Sequence, residues 1–190
     1  VPDSLTKVFY TANGREVRDG GGIKPDVEVK ADSLPNIAFY LASTGRDSTE
    51  VMFDWEVEYI KKHPSIALAK DFEISDEDYA DFKRAVLASG FKYDRLSENR
   101  LKDLRKVAEF EGYYEDAKEE FEALEKKLEH NLDREFDRFK KDIKEVMAQE
   151  VVKRYYYQSG QLQEALKADE DLQKAIEVLG SEEYDRILNK

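Results

Sequence analysis

The stretch FEALEKKLEHNLDREFDRFKKDIKEVM, residues 121–147, decides the fold class of this chain. Its apolar side chains recur at spacings of three and four, which is the period of one face of an α-helix. They are Phe121, Leu124, Leu128, Leu132, Phe136, Phe139, Ile143 and Met147. The stretch is either one long helix or an antiparallel pair that breaks near His130-Asn131. We favour the pair, because Asn131 and Asp133 suit helix caps and short connections make antiparallel neighbours.

Further helices are predicted on both sides of this stretch by apolar stripes with start and stop signals. The stripes are Val51-Trp55-Tyr59, Tyr79-Phe82-Val86, Leu101-Leu104-Ala108 and Leu172-Ile176-Leu179. Asp47-Ser48 can cap the first of them. Ser75 with Asp78 resembles a capping box for the second, which Gly90 closes. The sequence therefore predicts a mainly α fold of helix hairpins or a bundle.

The N-terminal part has a different pattern, because no glycine or proline occurs between Tyr113 and Ser159 while both are frequent near the start. Leu5 to Thr11 is rich in β-forming residues. Asn13-Gly14 then predicts a two-residue type I′ turn, with Arg15 to Arg18 as the return strand. We therefore divide the chain into a β-hairpin with an extended segment, residues 1–33, and a helical domain, residues 34–190. A lone hairpin is marginally stable in water. It should pack on the following helices or on a sheet missing from this chain.

Composition excludes several classes of function. The chain has 190 residues, with 31 basic and 43 acidic side chains and a formal charge of −12. Such acidity argues against nucleic acid and anionic membrane surfaces as partners. The longest apolar run, Ile37 to Ala42, is far shorter than the roughly 20 residues of a spanning helix. The absence of cysteine excludes disulfides and thiolate chemistry.

The polar clusters give no catalytic constellation. Paired carboxylates such as Glu115-Asp116 fall mostly opposite the apolar stripes, where a solvated face is expected. His63 suits a helix C-terminus and His130 a cap or surface position, so neither predicts a metal site. The serines occupy caps and turns, and Gly20-Gly21-Gly22 lacks the spacing of a phosphate loop. We therefore predict no catalytic residue, cofactor or metal ligand in this chain.

One aromatic cluster, Arg154-Tyr155-Tyr156-Tyr157-Gln158, is unusual. Consecutive aromatic side chains point around a helix, so some should pack on a neighbour and another should stay near the surface. The overall acidity makes base stacking a poor interpretation.

The N-terminal segment resembles a known family. Two segments show the resemblance: Phe9-Tyr10-Thr11-Ala12-Asn13-Gly14-Arg15-Glu16-Val17 and Gly20-Gly21-Gly22-Ile23-Lys24-Pro25-Asp26-Val27-Glu28-Val29. This pattern is similar to the end of the catalytic core of carboxy-terminal processing (tail-specific) proteases, the S41 serine peptidases. The matching residues, to which we assign a structural role, are Tyr10, Gly14, Arg15, Gly22, Ile23, Pro25 and Asp26. Family members have Pro-Ser in place of Ala12-Asn13, and Asn-Gly turns equally well. Residues 53–64 and 154–158 resemble the helical extension of a Bacteroidetes-type branch.

The resemblance implies a parent protease of the periplasm or cell envelope that cleaves near exposed C-termini of its substrates. It implies a Ser-Lys dyad and a PDZ domain upstream of Val1, so no catalytic residue is carried over to this chain. Val1 is not a start methionine and no signal peptide follows it, which favours a processed or excised product. The helical domain would then cover the core, shape substrate access or form a homo-oligomer contact.

Two other interpretations stay open. The chain could be a stand-alone helical adaptor that binds partner proteins through the stripe in residues 115–157. An independent hydrolase is the weakest interpretation, because no constellation of residues supports it.

Overall fold

A short β-hairpin opens the chain. The computed structural model describes residues 2–20, 22, 25–30, 33–43, 50–129 and 131–188. After a 3-10 turn at Asp3–Leu5, strands β1 (Val8–Tyr10) and β2 (Glu16–Arg18) pair antiparallel, with Phe9 opposite Val17. The predicted hairpin is confirmed, and both strands are shorter than the sequence pattern indicates.

The turn of this hairpin differs from the expected type I′ geometry. Type I′ needs a positive φ at both central residues, whereas Gly14 (φ 80°) has one and Asn13 does not. Thr11 donates its backbone N–H to Arg15 and accepts one from Gly14, both at 2.9 Å. The connection is therefore a three-residue loop, residues 12–14. Gly14 is its one residue with a left-handed backbone conformation.

Helices account for most of the remaining described residues, which confirms the mainly α prediction. They are α1 (Asn36–Ala42), α2 (Val51–Lys62), α3 (Asp76–Ser89), α4 (Leu96–Glu111), α5 (Lys118–Leu128), α6 (Leu132–Arg138), α7 (Lys140–Ala165), α8 (Glu170–Leu179) and α9 (Glu182–Leu188). No helix in the described part of the chain is both long and apolar enough to cross a membrane.

Capping explains several of these boundaries. The Ser75 hydroxyl accepts the backbone N–H of Asp78 at 3.0 Å, and Gly90 closes α3 with a φ of 72°. Asn131 caps α6 by accepting the N–H of Arg134 at 2.9 Å. The long stripe therefore breaks where the pair was favoured, and it breaks again at Phe139, so that three helices result instead of two. The predicted Asp47-Ser48 cap and His130 lie outside the described residues.

The larger compact unit, Leu34–Ala165, contains an aromatic core. The Phe82 ring lies 5.4 Å from Trp55 and 6.0 Å from Phe136, measured between centroids. The Tyr79 hydroxyl donates to the Phe136 carbonyl at 2.6 Å, which satisfies a buried polar group. α7 adds the fully buried Ile143, Met147, Val151 and Val152. Each such side chain contributes about 1.5–3 kcal/mol by burial.

An exposed ion cluster also joins α3 to α7. The Asp76 carboxylate, at the first residue of α3, contacts the Lys144 ammonium at 2.6 Å and the Lys140 ammonium at 2.9 Å. Hydrogen bonds from Lys144 and Lys140 lower the pKa of Asp76 to about 2. The carboxylate also lies where the helix macrodipole favours negative charge.

The second unit, Val1–Ser33 with Leu166–Lys190, differs from the first because none of its described residues is buried. It contains the β-hairpin, α8 and α9. The stripe Leu172-Ile176-Leu179, predicted from its helical spacing, lies on α8 and is exposed. The division at residue 33 into a protease-core segment and a helical domain stays a prediction.

Candidate functional site

The family-motif residues lie on the β-hairpin and on the segment that follows it. Tyr10 ends β1 with an exposed side chain, and Gly14 supplies the positive φ of the loop. The Arg15 guanidinium forms an ion pair with the Asp26 carboxylate, eleven positions further along the chain. The structure therefore brings these two motif residues together.

The remaining motif residues are less connected. Gly22 adopts a positive φ of 79°, which L side chains rarely adopt, so this position requires glycine. Pro25 directly precedes the Asp26 of the ion pair, and Ile23 lies outside the described residues. The structural role assigned to this set stays a prediction.

Both faces of the hairpin are uncovered. Side chains on successive strand residues point to opposite faces, so Val8 and Tyr10 share one face while Phe9 lies on the other beside Val17. All four are exposed. The hairpin thus presents apolar side chains on both sides, as a strand pair inside a larger sheet does.

The histidine and serine candidates have structural partners. His63 stacks on the Tyr59 ring at 4.1 Å between centroids, and its Nδ1 donates to the Tyr59 carbonyl at 3.0 Å. Ser75 is occupied as the cap of α3, where it also donates to the Asp78 carboxylate. In residues 2–129 and 131–188, as far as they are described, no group of three acidic, histidine or cysteine side chains could hold a metal ion.

The sequence analysis missed two buried carboxylates, Glu56 and Glu164, and Glu56 is the more deeply buried. Glu56 on α2 is 2% exposed and accepts a hydrogen bond from Arg154 Nε at 2.7 Å. Burial raises the pKa of the Glu56 carboxyl, and the Arg154 guanidinium opposes that rise. One signal could have found this residue: Glu56 follows Met52 by one helical turn and therefore lies on the apolar side of α2.

The tyrosine cluster holds the connection after α2. The Tyr155 hydroxyl donates to the His63 carbonyl, and the Tyr156 hydroxyl donates to the Ile66 carbonyl at 3.2 Å. Tyr157 is 79% exposed. The prediction that some of these rings pack while another stays at the surface is confirmed. Their hydroxyls satisfy backbone groups of a non-helical segment, which is a packing role.

A kink interrupts α7 at the same place. Tyr157 has φ 57° and ψ −158°, a conformation that is strained for any residue with a side chain. After the kink, a Cβ added to Gly160 would lie 2.3 Å from the Tyr156 Cβ and 3.0 Å from Val152 Cγ1. This close approach therefore requires glycine at position 160. The side chain of Gln161, the next residue, donates a hydrogen bond to the Glu150 carboxylate at 3.2 Å.

A cleft of about 670 Å³ separates α4 from α5. Both sides of the cleft carry charges of both signs: Arg95, Glu98, Lys102 and Arg105 on the α4 side, and Glu122, Glu125, Lys126 and Glu129 on the α5 side. The Arg105 guanidinium lies 4.6 Å above the centroid of the Tyr114 ring, in the connection between α4 and α5.

Together these features define a mainly helical domain, with a short β-hairpin before it, whose polar clusters serve capping and packing. A family model described as "Probable PDZ-protease, C-terminal helical domain" matches residues 38–179, well over half of the chain. The chain therefore belongs to this family, and the suspected relation to the C-terminal region of a processing protease is confirmed. No curated protein and no solved structure matches the chain.

Proposed function

We propose that this chain is the non-catalytic C-terminal region of an S41 carboxy-terminal processing protease, with a Ser-Lys dyad upstream of Val1. Its parent would act in the periplasm or cell envelope on proteins with exposed C-termini. Two independent observations support the proposal. The helical residues match the C-terminal domain of a probable PDZ-protease, and the hairpin residues Tyr10 to Asp26 resemble the end of the S41 core.

The uncovered hairpin is the observation that carries this proposal. A two-stranded hairpin needs further strands or a packed helix for stability. Phe9 and Tyr10 expose aromatic rings on opposite faces of the hairpin, so each of the two faces is uncovered. A protease core would supply strands that pair with the edges of the hairpin and packed elements that cover its two faces. The Arg15–Asp26 ion pair would hold the chain where it leaves the core.

The helical unit would serve as a rigid body that shapes access of unfolded substrates to the core. Its rigidity follows from the packed Trp55, Phe82 and Phe136 rings and from the buried face of α7. The same packing weakens support for the adaptor interpretation. Phe136, Ile143 and Met147, which belong to the stripe assigned to partner binding, face the core of this chain.

The first test uses the native protein from source cells, captured with an antibody raised against this chain. We expect a species much heavier than 22.1 kDa, with upstream peptides that contain a serine and a later lysine. A single species near 22.1 kDa would mean either a released processing product or an independent adaptor, and partner binding would then be the property to test.

The second test measures cleavage of a peptide substrate by the captured parent protein. Replacing either dyad residue should abolish cleavage, and Arg15→Met should reduce it by weakening the ion pair with Asp26. Lys61→Met, which removes an exposed pair with Glu58 on α2, is the matched control and should leave cleavage unchanged. Robust cleavage by the purified 190-residue chain itself would refute the proposal.

A further inference from the structure

The helix α8 turns a polar face toward its own compact unit. A groove of about 440 Å³ lies between α8 and residues 28–30, and its α8 side consists of Glu170, Gln173, Lys174 and Glu177. At about 100° of rotation per residue, these four side chains cover an arc of about 100° of the helix surface. The polar face of α8 therefore lies toward the N-terminal segment of the unit to which both belong.

The opposite face of α8 is apolar and uncovered. Leu172, Ile176 and Leu179, which form the α8 stripe, are 36%, 62% and 63% exposed. By the same rotation they fall within an arc of about 60°, whose centre lies about 140° around the helix from the centre of the polar arc. A surface helix ordinarily turns its apolar stripe toward the core of its unit, so α8 has the reverse orientation.

The neighbouring helix α9 does not cover the α8 stripe. α9 packs against α8 and adds two exposed apolar side chains, Tyr184 and Leu188, which lie one helical turn apart. Among the described residues of the hairpin, α8 and α9, none is buried. Contiguous apolar surface of this kind marks a contact with another part of a protein or with a partner.

We propose that the α8 stripe packs against the catalytic core of the parent protease, so that the chain returns to the core after the helical unit. The contact rests on the proposed function, because the core is the part of the parent that would precede Val1. The helical unit Leu34–Ala165 would then be attached to the core at both of its ends. A unit attached by one linker moves relative to its neighbour unless an interface holds it, and the second attachment would limit that motion.

The position of α8 favours the core as the occupant. Residues 28 and 29, which line the groove opposite α8, belong to the segment that resembles the end of the S41 core. The compact units divide the chain so that α8 and α9 belong with the hairpin and not with Leu34–Ala165. The hairpin and α8, each with an uncovered apolar surface, are therefore parts of the one unit that would be continuous with the core.

The small size of the α8 stripe favours an attached partner over a free one. Stable interfaces between free proteins involve roughly 20–30 residues on each side, so three side chains are too few to hold a free partner. The core would be joined to this chain at the hairpin, which gives it an effective concentration on the order of millimolar near α8. A second copy has no such connection, and its formal charge of −12 repels this chain.

Hydrogen exchange in the full-length parent protein tests the proposal through peptides from residues 170–179. In the isolated 190-residue chain these peptides should exchange fast, because the α8 stripe is exposed. In the parent their exchange should be slower by about tenfold or more, since opening of α8 would expose the covered stripe. Ile176→Glu in the parent should return their exchange to the rate of the isolated chain.

Leu104→Glu is the matched control, because Leu104 is 56% exposed on α4, close to the 62% of Ile176. It should leave the exchange of α8 in the parent unchanged. Glutamate is a good helix former, so Ile176→Glu should also leave the exchange of α8 in the isolated chain unchanged. That measurement shows that the substitution removes the contact and does not unfold the helix.

The hairpin peptides separate this proposal from the proposed function. If peptides from residues 2–20 become protected in the parent while α8 exchanges as in the isolated chain, the docking of α8 is overturned and the protease assignment stands. A native protein without a core upstream of Val1 would overturn both, because the occupant would not exist.

Other occupants of the α8 stripe would give different results. Protection of α8 in the dilute isolated chain would mean that the stripe packs on the unit Leu34–Ala165. Protection that rises with the concentration of the isolated chain and is lost in Ile176→Glu would indicate a second copy. Protection in the parent only after an unfolded substrate is added would indicate a substrate-binding surface. Each of these results would overturn the proposal.

Discussion

Glu56 and Arg154 show how one buried charge makes stability depend on pH. The pKa of Glu56 lies above its ordinary value of 4.5 because burial outweighs the hydrogen bond from Arg154. The raised pKa of Glu56 therefore stabilises the folded protein fully below about pH 4.5. This stabilisation declines as the pH rises through the folded-state pKa of Glu56. Arg154 limits the decline by stabilising the carboxylate, and its guanidinium also lies 4.9 Å above the Phe53 ring.

Replacing Arg154 with methionine should therefore destabilise the protein in a pH-dependent way. The variant leaves a buried carboxylate without its guanidinium, which should lower the free energy of unfolding by about 2–3 kcal/mol at neutral pH. Near pH 4 the loss should be smaller, because a protonated Glu56 needs no cation. Urea unfolding at both pH values measures the difference. A loss of equal size at both values would contradict the ion-pair explanation.

Arg84→Met is the control for this experiment. Arg84 pairs with Asp81 at 3.0 Å, one turn away on the exposed side of α3. Exposed pairs contribute about 0–1 kcal/mol, so this variant should change the free energy of unfolding little at either pH.

Tyr157 provides a residue-scale test of backbone strain. A φ of 57° destabilises a residue that has a side chain by about 1–3 kcal/mol. The exposed ring of Tyr157 buries too little apolar surface to offset this strain. Tyr157→Gly should raise the free energy of unfolding by up to about 1 kcal/mol, after the entropy cost of glycine is subtracted. Leu162→Gly, an exposed position in the same helix, should lower it by about 1 kcal/mol. A loss of stability in both variants would show that the ring of Tyr157 has a packing role.

At the scale of the element, α7 depends on the missing side chain of Gly160. Gly160→Ala places a methyl group 2.3 Å from the Tyr156 Cβ, an atom fixed to the backbone that cannot rotate away. Either the kink or the Tyr156 contact must shift, so we expect a loss of about 1–3 kcal/mol in thermal or urea unfolding. Gly180→Ala is the control, because its nearest atom, the Ile176 carbonyl oxygen, lies at 3.4 Å. Equal effects of the two substitutions would contradict the close approach.

The elements that the sequence predicted well are those with local causes. The cap at Ser75, the stop at Gly90 and the break at Asn131 depend on residues within one turn, and the structure confirms them. The kink in α7 escaped prediction because Tyr157 has no local signal for a positive φ. The kink directly follows Tyr155 and Tyr156, whose hydroxyls bond to residues 63–66, about ninety positions away in the chain.

The site was predicted unevenly for the same reason. The motif from Tyr10 to Asp26 is recognisable by its residue order, and its structural role stays a prediction. The Glu56–Arg154 pair could not be predicted, since the two residues lie 98 positions apart and only the fold brings them together. Leu104, which belongs to the predicted stripe Leu101-Leu104-Ala108, is exposed. Its exposure likewise depends on which face of α4 is covered by α5, and helical spacing alone does not predict that face.

At the scale of the whole molecule, the two compact units should differ in local stability. Ile143, Met147 and Val151 on α7 are fully buried, so their amides open only when the unit Leu34–Ala165 loses its core. The described residues of the hairpin, α8 and α9 have no buried side chain. Their amide hydrogens should therefore exchange much faster, because local opening there exposes little additional apolar surface.

Hydrogen exchange followed by mass spectrometry can separate this intrinsic property from the proposed role in a protease. In the isolated chain, peptides from residues 2–20 should exchange faster than peptides from residues 140–156. In the parent protease the hairpin peptides should become protected, because strands of the core would pair with β1 or β2 and packed elements of the core would cover Phe9 and Tyr10. Peptides from α7 should change little and serve as the internal reference. Equal protection of hairpin and α7 in the isolated chain would contradict the difference between the units. A hairpin that stays unprotected in the parent would argue against its place in the protease core.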